Sequence, residues 1–288
     1  MRNGIHFISG LPRSGSTLLS GLLRQNPRLH AHISSPVAAM FGSLQVALSG
    51  RSEYHPLVTE AQRLAVLKGL FENYYAGLHE TKTIIDTNRS WTGKLPGLLR
   101  LHPDAKVICC VRPIAWIVDS FERLVRESPF EPSRIYNFSP GGNVYTRSDH
   151  LNGPKGVIGL AYQCLKDGFF GPHADRLLLV PYDVLTHDPA YVMREIYAFL
   201  GLEPFGHDFE NVMIEADEFD RRLGTPGLHA VGAAVRPPNR TLSIPPDLAA
   251  RFAQSQFWAD PKRNLRGVRV LGRPAAGMPQ ERELEVET

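Results

Sequence analysis

Only three cysteines occur among the 288 residues, two adjacent at Cys109 and Cys110 in an apolar run and the third at Cys164 in a helix-like stretch. An odd count without metal-ligand spacing excludes a disulfide framework and argues against zinc, and it suits a reducing compartment. No window approaches the roughly eighteen uninterrupted apolar residues of a membrane span. The N-terminus, Met1-Arg2-Asn3-Gly4-Ile5-His6-Phe7-Ile8, runs straight into a strand-like segment without an apolar signal. A cytoplasmic chain with no membrane span is therefore expected. Net charge is small, +3 from 32 basic and 29 acidic residues, which disfavours a nucleic-acid footprint spread over the surface. Lysine is scarce: 7 of the basic residues are Lys and 25 are Arg. The planar Arg fork suits phosphate, sulfate and carboxylate, although codon usage alone would also enrich Arg. Internal repeats and domain linkers are absent as well. What is present is 43% apolar and 21% charged residues with 25 Gly and 23 Pro, the balance of a soluble globular protein.

Short apolar runs alternate with helical periodicity. Strands are expected at 5–9, 83–86, 106–111 and 176–180, and helices at 17–24, about 36–48, 59–79, 92–101, 114–125, 156–170 and 188–200. That order implies an α/β fold, a single-domain parallel sheet flanked by helices. Residues 127–154, with four Pro and three Gly, read as a long loop of the kind that forms lids or binding elements. From Pro261 to Arg273 there are five basic residues and no acid, and four Glu alternate through the last eight positions. A mobile tail over 261–288 is expected there, leaving residues 1–260 as one domain.

The first strand ends in Gly10-Leu11-Pro12-Arg13-Ser14-Gly15-Ser16-Thr17, which opens the first helix. A Gly-rich loop in that context aims backbone N–H groups at a phosphate. The spacing is that of G-x-x-x-x-G-K-[ST], but Ser16 stands where triphosphate binders carry Lys, which disfavours an ATPase or GTPase. The cation has moved forward to Arg13, within reach of a terminal oxyanion. A helix start capped by Ser14 or Ser16 is the plainer alternative.

Leu11-Pro12-Arg13-Ser14-Gly15-Ser16-Thr17-Leu18-Leu19 resembles the 5′-phosphosulfate loop of sulfotransferases that use 3′-phosphoadenosine 5′-phosphosulfate (PAPS), a P-loop nucleotide-binding fold. In that family a later strand ends in an Arg followed eight residues on by a helical Ser, and the two hold the 3′-phosphate. Val107-Ile108-Cys109-Cys110-Val111-Arg112 and Ser120 match in type and spacing. Arg112 also stands at the carboxyl end of a parallel strand, the edge at which open α/β sheets bind ligands. Motifs are closest to the tyrosylprotein branch. The resemblance gives Tyr182, in Val180-Pro181-Tyr182-Asp183, a contact with the nucleotide, and Arg236, in Val235-Arg236-Pro237-Pro238, a contact with its phosphates. It covers about residues 5–245, densely only at the two phosphate motifs.

The resemblance implies transfer of a sulfuryl group from PAPS to an acceptor hydroxyl, with a tilt towards a phenolic or peptidyl tyrosine one, with release of 3′-phosphoadenosine 5′-phosphate and with no metal. Arg13 and the N–H groups of Ser14 to Thr17 would offset charge on the leaving phosphate. The acceptor pocket is expected between helices 36–79 and the 127–154 loop. A general base should stand near the acceptor. The tyrosylprotein relatives carry a Glu shortly after the first helix, whereas this chain reads Leu29-His30-Ala31-His32-Ile33-Ser34-Ser35-Pro36. His32 or His30 is a candidate in its place. Asp86, in Asp86-Thr87-Asn88-Arg89-Ser90-Trp91, is another, with Arg89 stabilising sulfuryl oxygens, and His229 is a third. Each also has an ordinary structural reading, as a surface His or a helix-capping Asp. Two other functions stay open: a small-molecule or nucleoside kinase, which lacks the P-loop Lys, and a nucleotide-binding protein without catalysis. Neither the acceptor nor the oligomeric state is legible.

Overall fold

Alternation along the apolar runs explains the sheet. In the computed structural model, which describes residues 4–78, 80–127 and 142–272, six strands lie parallel in the order β2-β3-β1-β4-β5-β6. They are β1 (Ile5–Gly10), β2 (Leu29–Ala31), β3 (Thr83–Thr87), β4 (Val107–Val111), β5 (Leu177–Pro181) and β6 (Arg269–Val270). Successive side chains leave opposite faces of a strand. Phe7, Ile84, Val107, Cys109, Leu177 and Leu179 accordingly join one hydrophobic cluster, and Ile8, Ile85, Ile108, Cys110, Leu178 and Val180 join the other. With both faces covered, the strands need no polar alternation, which is why the runs read as continuous.

Helices α1 (Ser16–Arg24), α8 (Tyr182–His187) and α9 (Pro189–Leu200) cover the second cluster. Helices α2 (Val37–Ala47), α3 (Glu60–Tyr74), α4 (Leu95–Leu101), α5 (Ile114–Glu127) and α7 (Val157–Phe170) cover the first, with Trp91, Phe41 and Phe71 packed at ring distances of 5.9–6.0 Å. Two short helices, α10 (Asp217–Arg222) and α11 (Pro246–Ala250), complete the late part of the chain.

Four expectations change. The predicted helix at 92–101 begins as a 3-10 turn over Trp91–Lys94 before α4, because Pro96 sits at the start of the α-helical hydrogen bonding. The 127–154 loop contains α6 (Val144–Asn152), started by an Asn143 and Thr146 capping box that the Pro and Gly count hides; residues 128–141 lie outside the described residues. β2 is only three residues long, too short to show a period. Finally, the boundary at 260 falls inside the fold. Val268 and Leu271 are buried, and Arg269–Val270 pairs with β5 as an edge strand, its alternation obscured by the basic residues around it. The rest of the expected tail, 273–288, lies outside the described residues.

β1 and β4 approach closely at Gly10 (φ 100°), where a Cβ would stand 2.2 Å from Cys110 O. A side chain there must separate β1 from β4. Gly10→Ala should lower unfolding stability by roughly 2–4 kcal/mol, while Leu265→Ala, at an 83% exposed position, should change it by less than about 0.5 kcal/mol; chemical denaturation of both variants checks this.

His6 is buried in β1, its Nδ1 accepting the Lys106 N–H at 3.2 Å. Burial, with Lys106 nearby, lowers its pKa from 6.5 to about 4. Between those values the unfolded chain binds a proton that the native chain refuses, so this contribution is complete above pH 6.5 and is lost as pH falls towards about 4. Urea midpoints at pH 7.5 and pH 5 should show a drop that is smaller in His6→Gln; an equal drop in both proteins would remove His6 as a cause.

Candidate active site

The turn between β1 and α1 is built from three left-handed residues: Gly10, Arg13 (φ 56°) and Gly15 (φ 97°). Arg13 is the sole non-glycine with positive φ among the described residues, a conformation that costs an L-residue about 1–2 kcal/mol. Leu11 N–H hooks the turn to Cys110 O at 2.8 Å. The chain then enters α1 through Gly15, with no side-chain cap and no acid in the first turn. Leu19 N–H is the first to bond back, to Gly15 O at 2.9 Å, so the N–H groups of Ser16, Thr17 and Leu18 have no helical carbonyl to meet. Together with the helix dipole they make an anion-binding end.

Gly15 is needed for a second reason. A Cβ there would lie 2.9 Å from Tyr182 Cδ2, so the loop and the start of α8 meet closely. The Tyr182 ring in turn supports Arg112, whose guanidinium lies 4.2 Å from its centroid. Arg112 also donates through Nη1 to Arg13 O at 3.3 Å, and Arg13 donates through Nε to Ser120 Oγ at 2.9 Å. Burial lowers the Arg112 pKa to about 10, still cationic at neutral pH. Ends of three adjacent strands thus bring two arginines and a hydroxyl to the amino end of α1.

These groups line a cleft of about 260 Å³, closed on one side by Thr87, Asn88 and Arg89 at the end of β3 and on the other by residues of the 228–236 segment. Of the residues singled out from sequence, Arg13, Gly15, Ser16, Thr17, Arg89, Arg112, Ser120, Tyr182, His229 and Arg236 line it. Ser14 does not: it is buried and its hydroxyl bonds Pro12 O at 3.2 Å. Arg236 reaches the cleft wall but its guanidinium forms a two-pronged pair with Glu210 at 2.8 and 2.5 Å, which quenches much of its charge.

The base candidates separate. Asp86 is buried beneath the cleft, on the Ile84 face of β3, accepting hydrogen bonds from Ser35 Oγ (2.6 Å), Trp91 Nε1 (2.6 Å) and Tyr75 OH. Burial raises its pKa against the pull of these donors, and its oxygens are committed to the core. It therefore stands outside the lining, and so does His32. His32 keeps much of its surface in solvent, its ring 4.5 Å from that of His30, and partial desolvation by the surrounding protein, with neighbouring cations, lowers both imidazoles. His229 is the imidazole in the cleft; its Nδ1–H and backbone N–H both bond the buried Asp220, at 2.5 and 2.7 Å. It occupies the 228–236 wall beside α5, across β1 from Arg89.

Sequence reasoning missed the clamp next to Ser120. Asp119 is fully buried and accepts from Ser243 N–H, Ser243 Oγ, Arg123 Nε and Arg240, and these donors hold its pKa low although burial opposes them. Arg240 also lies 5.4 Å from the Trp116 ring. An acid inside the apolar face of α5 was the available signal. Asn88 and Ser34, which also line the cleft, gave no signal because a lone Asn or Ser in a turn is ordinary.

The sequence profile described as "Sulfotransferase family" matches residues 6–206. A search of curated proteins finds no sequence match. Among solved structures, the sulfotransferase domain from the curacin biosynthetic pathway aligns with a TM-score of 0.50 at 18% identity, over 88% of this chain and 92% of that one. The sulfotransferase domain from the Synechococcus PCC 7002 olefin synthase gives 0.47 at 20% identity, over 90% and 96% of the two chains. A sulfotransferase from Alicyclobacillus acidocaldarius gives 0.48 at 17%, over 77% and 90%.

Asp119→Asn leaves Arg240 and Ser243 without a charged acceptor. Removing one member of a buried, hydrogen-bonded charge pair costs about 3–5 kcal/mol. Thermal denaturation should show a loss of that order, and the Ser243 amide should exchange with deuterium faster than in the wild type.

Proposed function

The chain belongs to the sulfotransferase family, and from that membership we propose that it moves the sulfuryl group of PAPS to the hydroxyl of an acceptor, a phenolic hydroxyl in preference to an aliphatic one. The observation that carries this reading is the pairing of two anion-holding poles in one cleft. One is Arg13 with the N–H groups at the start of α1; the other is Arg112 with Ser120. A donor with phosphate at both its 5′ and 3′ positions suits two poles, whereas a nucleoside triphosphate suits one. The residues fit the donor in another respect: the N–H groups of Ser16, Thr17 and Leu18 meet no helical carbonyl, and Ser16 stands where a P-loop Lys would be.

When bound, PAPS supplies a sulfuryl group whose bridging S–O bond breaks with its electron pair leaving on the phosphate, as the acceptor oxygen bonds sulfur and its proton is released. The chain's part is alignment and charge. Arg13 and the α1 N–H groups would meet the phosphate oxygen that gains negative charge, and groups fixed before reaction spend little on reorganisation. Arg112 is held in position by Tyr182 and Arg13 O, and Ser120 adds a hydroxyl at the second pole. Arg89 and Asn88 stand at the end of β3, on the acceptor side. Arg89 is open to solvent but deep enough among protein for desolvation to lower its pKa, and it would stabilise sulfuryl oxygens and an ionising acceptor.

Neither a carboxylate nor an imidazole lines both this cleft and the cavity beside it among the described residues. The cationic floor therefore favours an acceptor that surrenders its proton easily. A phenol, with a pKa of about 10, meets that condition far better than an alcohol.

Calorimetric titration with 3′-phosphoadenosine 5′-phosphate in EDTA should show binding that weakens about tenfold to a hundredfold in Arg112→Ala, the loss of charge-assisted hydrogen bonds. ATP with Mg²⁺ should bind more weakly than the bisphosphate. Equal affinity for ATP and no response to Arg112→Ala would favour a kinase and overturn the reading.

A further inference from the structure

A second cavity, of about 880 Å³ and open to solvent, lies against the donor cleft and shares Asn88 and Arg89 with it. Its walls are α2, the Trp91–Lys94 turn, and Lys155 with the start of α7, while none of the described residues of the 127–154 loop lines it. Two features define what it can hold. The first is an apolar wall with room beside it. On α2, Ala38, Ala39, Gly42 and Ala47 present almost no side chain, and Val46 of the same helix and Leu160 of α7 expose 55% and 45% of their surface. Large apolar side chains left this exposed on facing elements gain by covering one another or a ligand.

The second feature is charge of one sign. Arg89, Lys94 and Lys155 line the cavity, no Asp or Glu does, and none of the three has a carboxylate within 4.0 Å among the described residues. This contrasts with most other cationic side chains of the late chain, which pair with acids, as Arg221, Arg236, Arg251 and Arg269 do. Lys94 is directed into the space: a Cβ on Gly42 would lie 3.4 Å from Lys94 Nζ, so the absence of a side chain on α2 makes room for the ammonium. The same Nζ lies 5.9 Å from the Phe41 ring centroid, at the edge of the apolar wall. A hydroxyl placed at Asn88 and Arg89 would leave the rest of its molecule against α2 and α7, with Lys94 and Lys155 beyond.

Resting on the sulfuryl-transfer reading above, we propose that the acceptor is an anionic amphiphile: a hydroxyl at one end, an apolar body along α2 and α7, and an anionic group met by Lys94 and Lys155. Two cations in a half-enclosed site discriminate an anion from its neutral ester through charge-assisted contacts that the ester cannot make. Lys94 and Lys155 act here as specificity-determining residues and touch no part of the donor cleft.

The test uses the full chain and a matched pair of probes, 4-(4-hydroxyphenyl)butanoate and its methyl ester, with binding followed by calorimetry in the presence and absence of 3′-phosphoadenosine 5′-phosphate. The carboxylate should bind at least about tenfold more tightly than the ester, and in Lys94→Met/Lys155→Met the preference should fall to about twofold or less while affinity for the bisphosphate is unchanged. Methionine keeps the apolar stem, and bisphosphate binding reports that the variant is folded. Equal binding of acid and ester, binding of neither, or a preference that survives in the double variant overturns the proposal. Loss of the sulfuryl-transfer reading would show separately, as wild-type protein that does not bind the bisphosphate at all. Salt provides a further check: raising ionic strength should erode the acid's advantage and leave the ester's affinity nearly constant.

Discussion

The left-handed turn at Arg13 and Gly15 sets the direction in which α1 leaves the sheet, and the rest of the site follows from that direction. Because the turn carries no side-chain cap and no acid, the first amide groups of α1 keep their positive ends pointed at solvent. An uncapped helix start is a liability unless something anionic meets it. The surrounding packing keeps it accessible: Gly10 allows β1 to lie against β4, and Gly15 allows the loop to lie against Tyr182. Both contacts are steric, and both are lost with any larger residue.

Arginines around this turn divide by the partners that hold them. Arg112 is held by a backbone carbonyl and an aromatic face, and Arg13 donates to the Ser120 hydroxyl, contacts that orient both guanidinium groups. Arg240, Arg123 and Arg236 meet carboxylates instead. Asp119 illustrates the economy of the second group: one buried acid joins α5 to the 240–243 segment and so steadies the helix that carries Ser120.

Two cavities meeting at Asn88 and Arg89 suit a transfer between two molecules better than hydrolysis of one. The junction carries the Arg89 guanidinium, a group suited to stabilising negative charge on oxygen. Asp220 and His229 form an oriented pair on the opposite wall, beside α5, where the imidazole lines the cleft. The sheet order explains the separation, since β1 lies between β3 and β4 and its loop divides the two sides.

Much of this was legible in the chain itself. Continuous apolar runs specify buried parallel strands, because an interior strand covered on both faces needs no polar alternation. The loop from Gly10 to Thr17, and Arg112 with Ser120, are local patterns tied to strand and helix ends, so their spacing foretold that they would share one edge. Short elements escaped: β2 and β6 are too brief for a period to register, and α6 was masked by surrounding Pro and Gly. The base candidates could not be sorted by type, since Asp86 looks like a base or a cap in sequence. Strand alternation puts it on the Ile84 face, where Ser35, Tyr75 and Trp91 from three other segments converge on its oxygens. Tertiary structure alone decided that, along with the pairing of Arg236 with Glu210 and the cation-lined cavity between α2 and α7. The physical reason is range: backbone geometry and hydrophobic period act over a few residues, whereas the charge and accessibility of a side chain depend on neighbours that only the folded chain brings near.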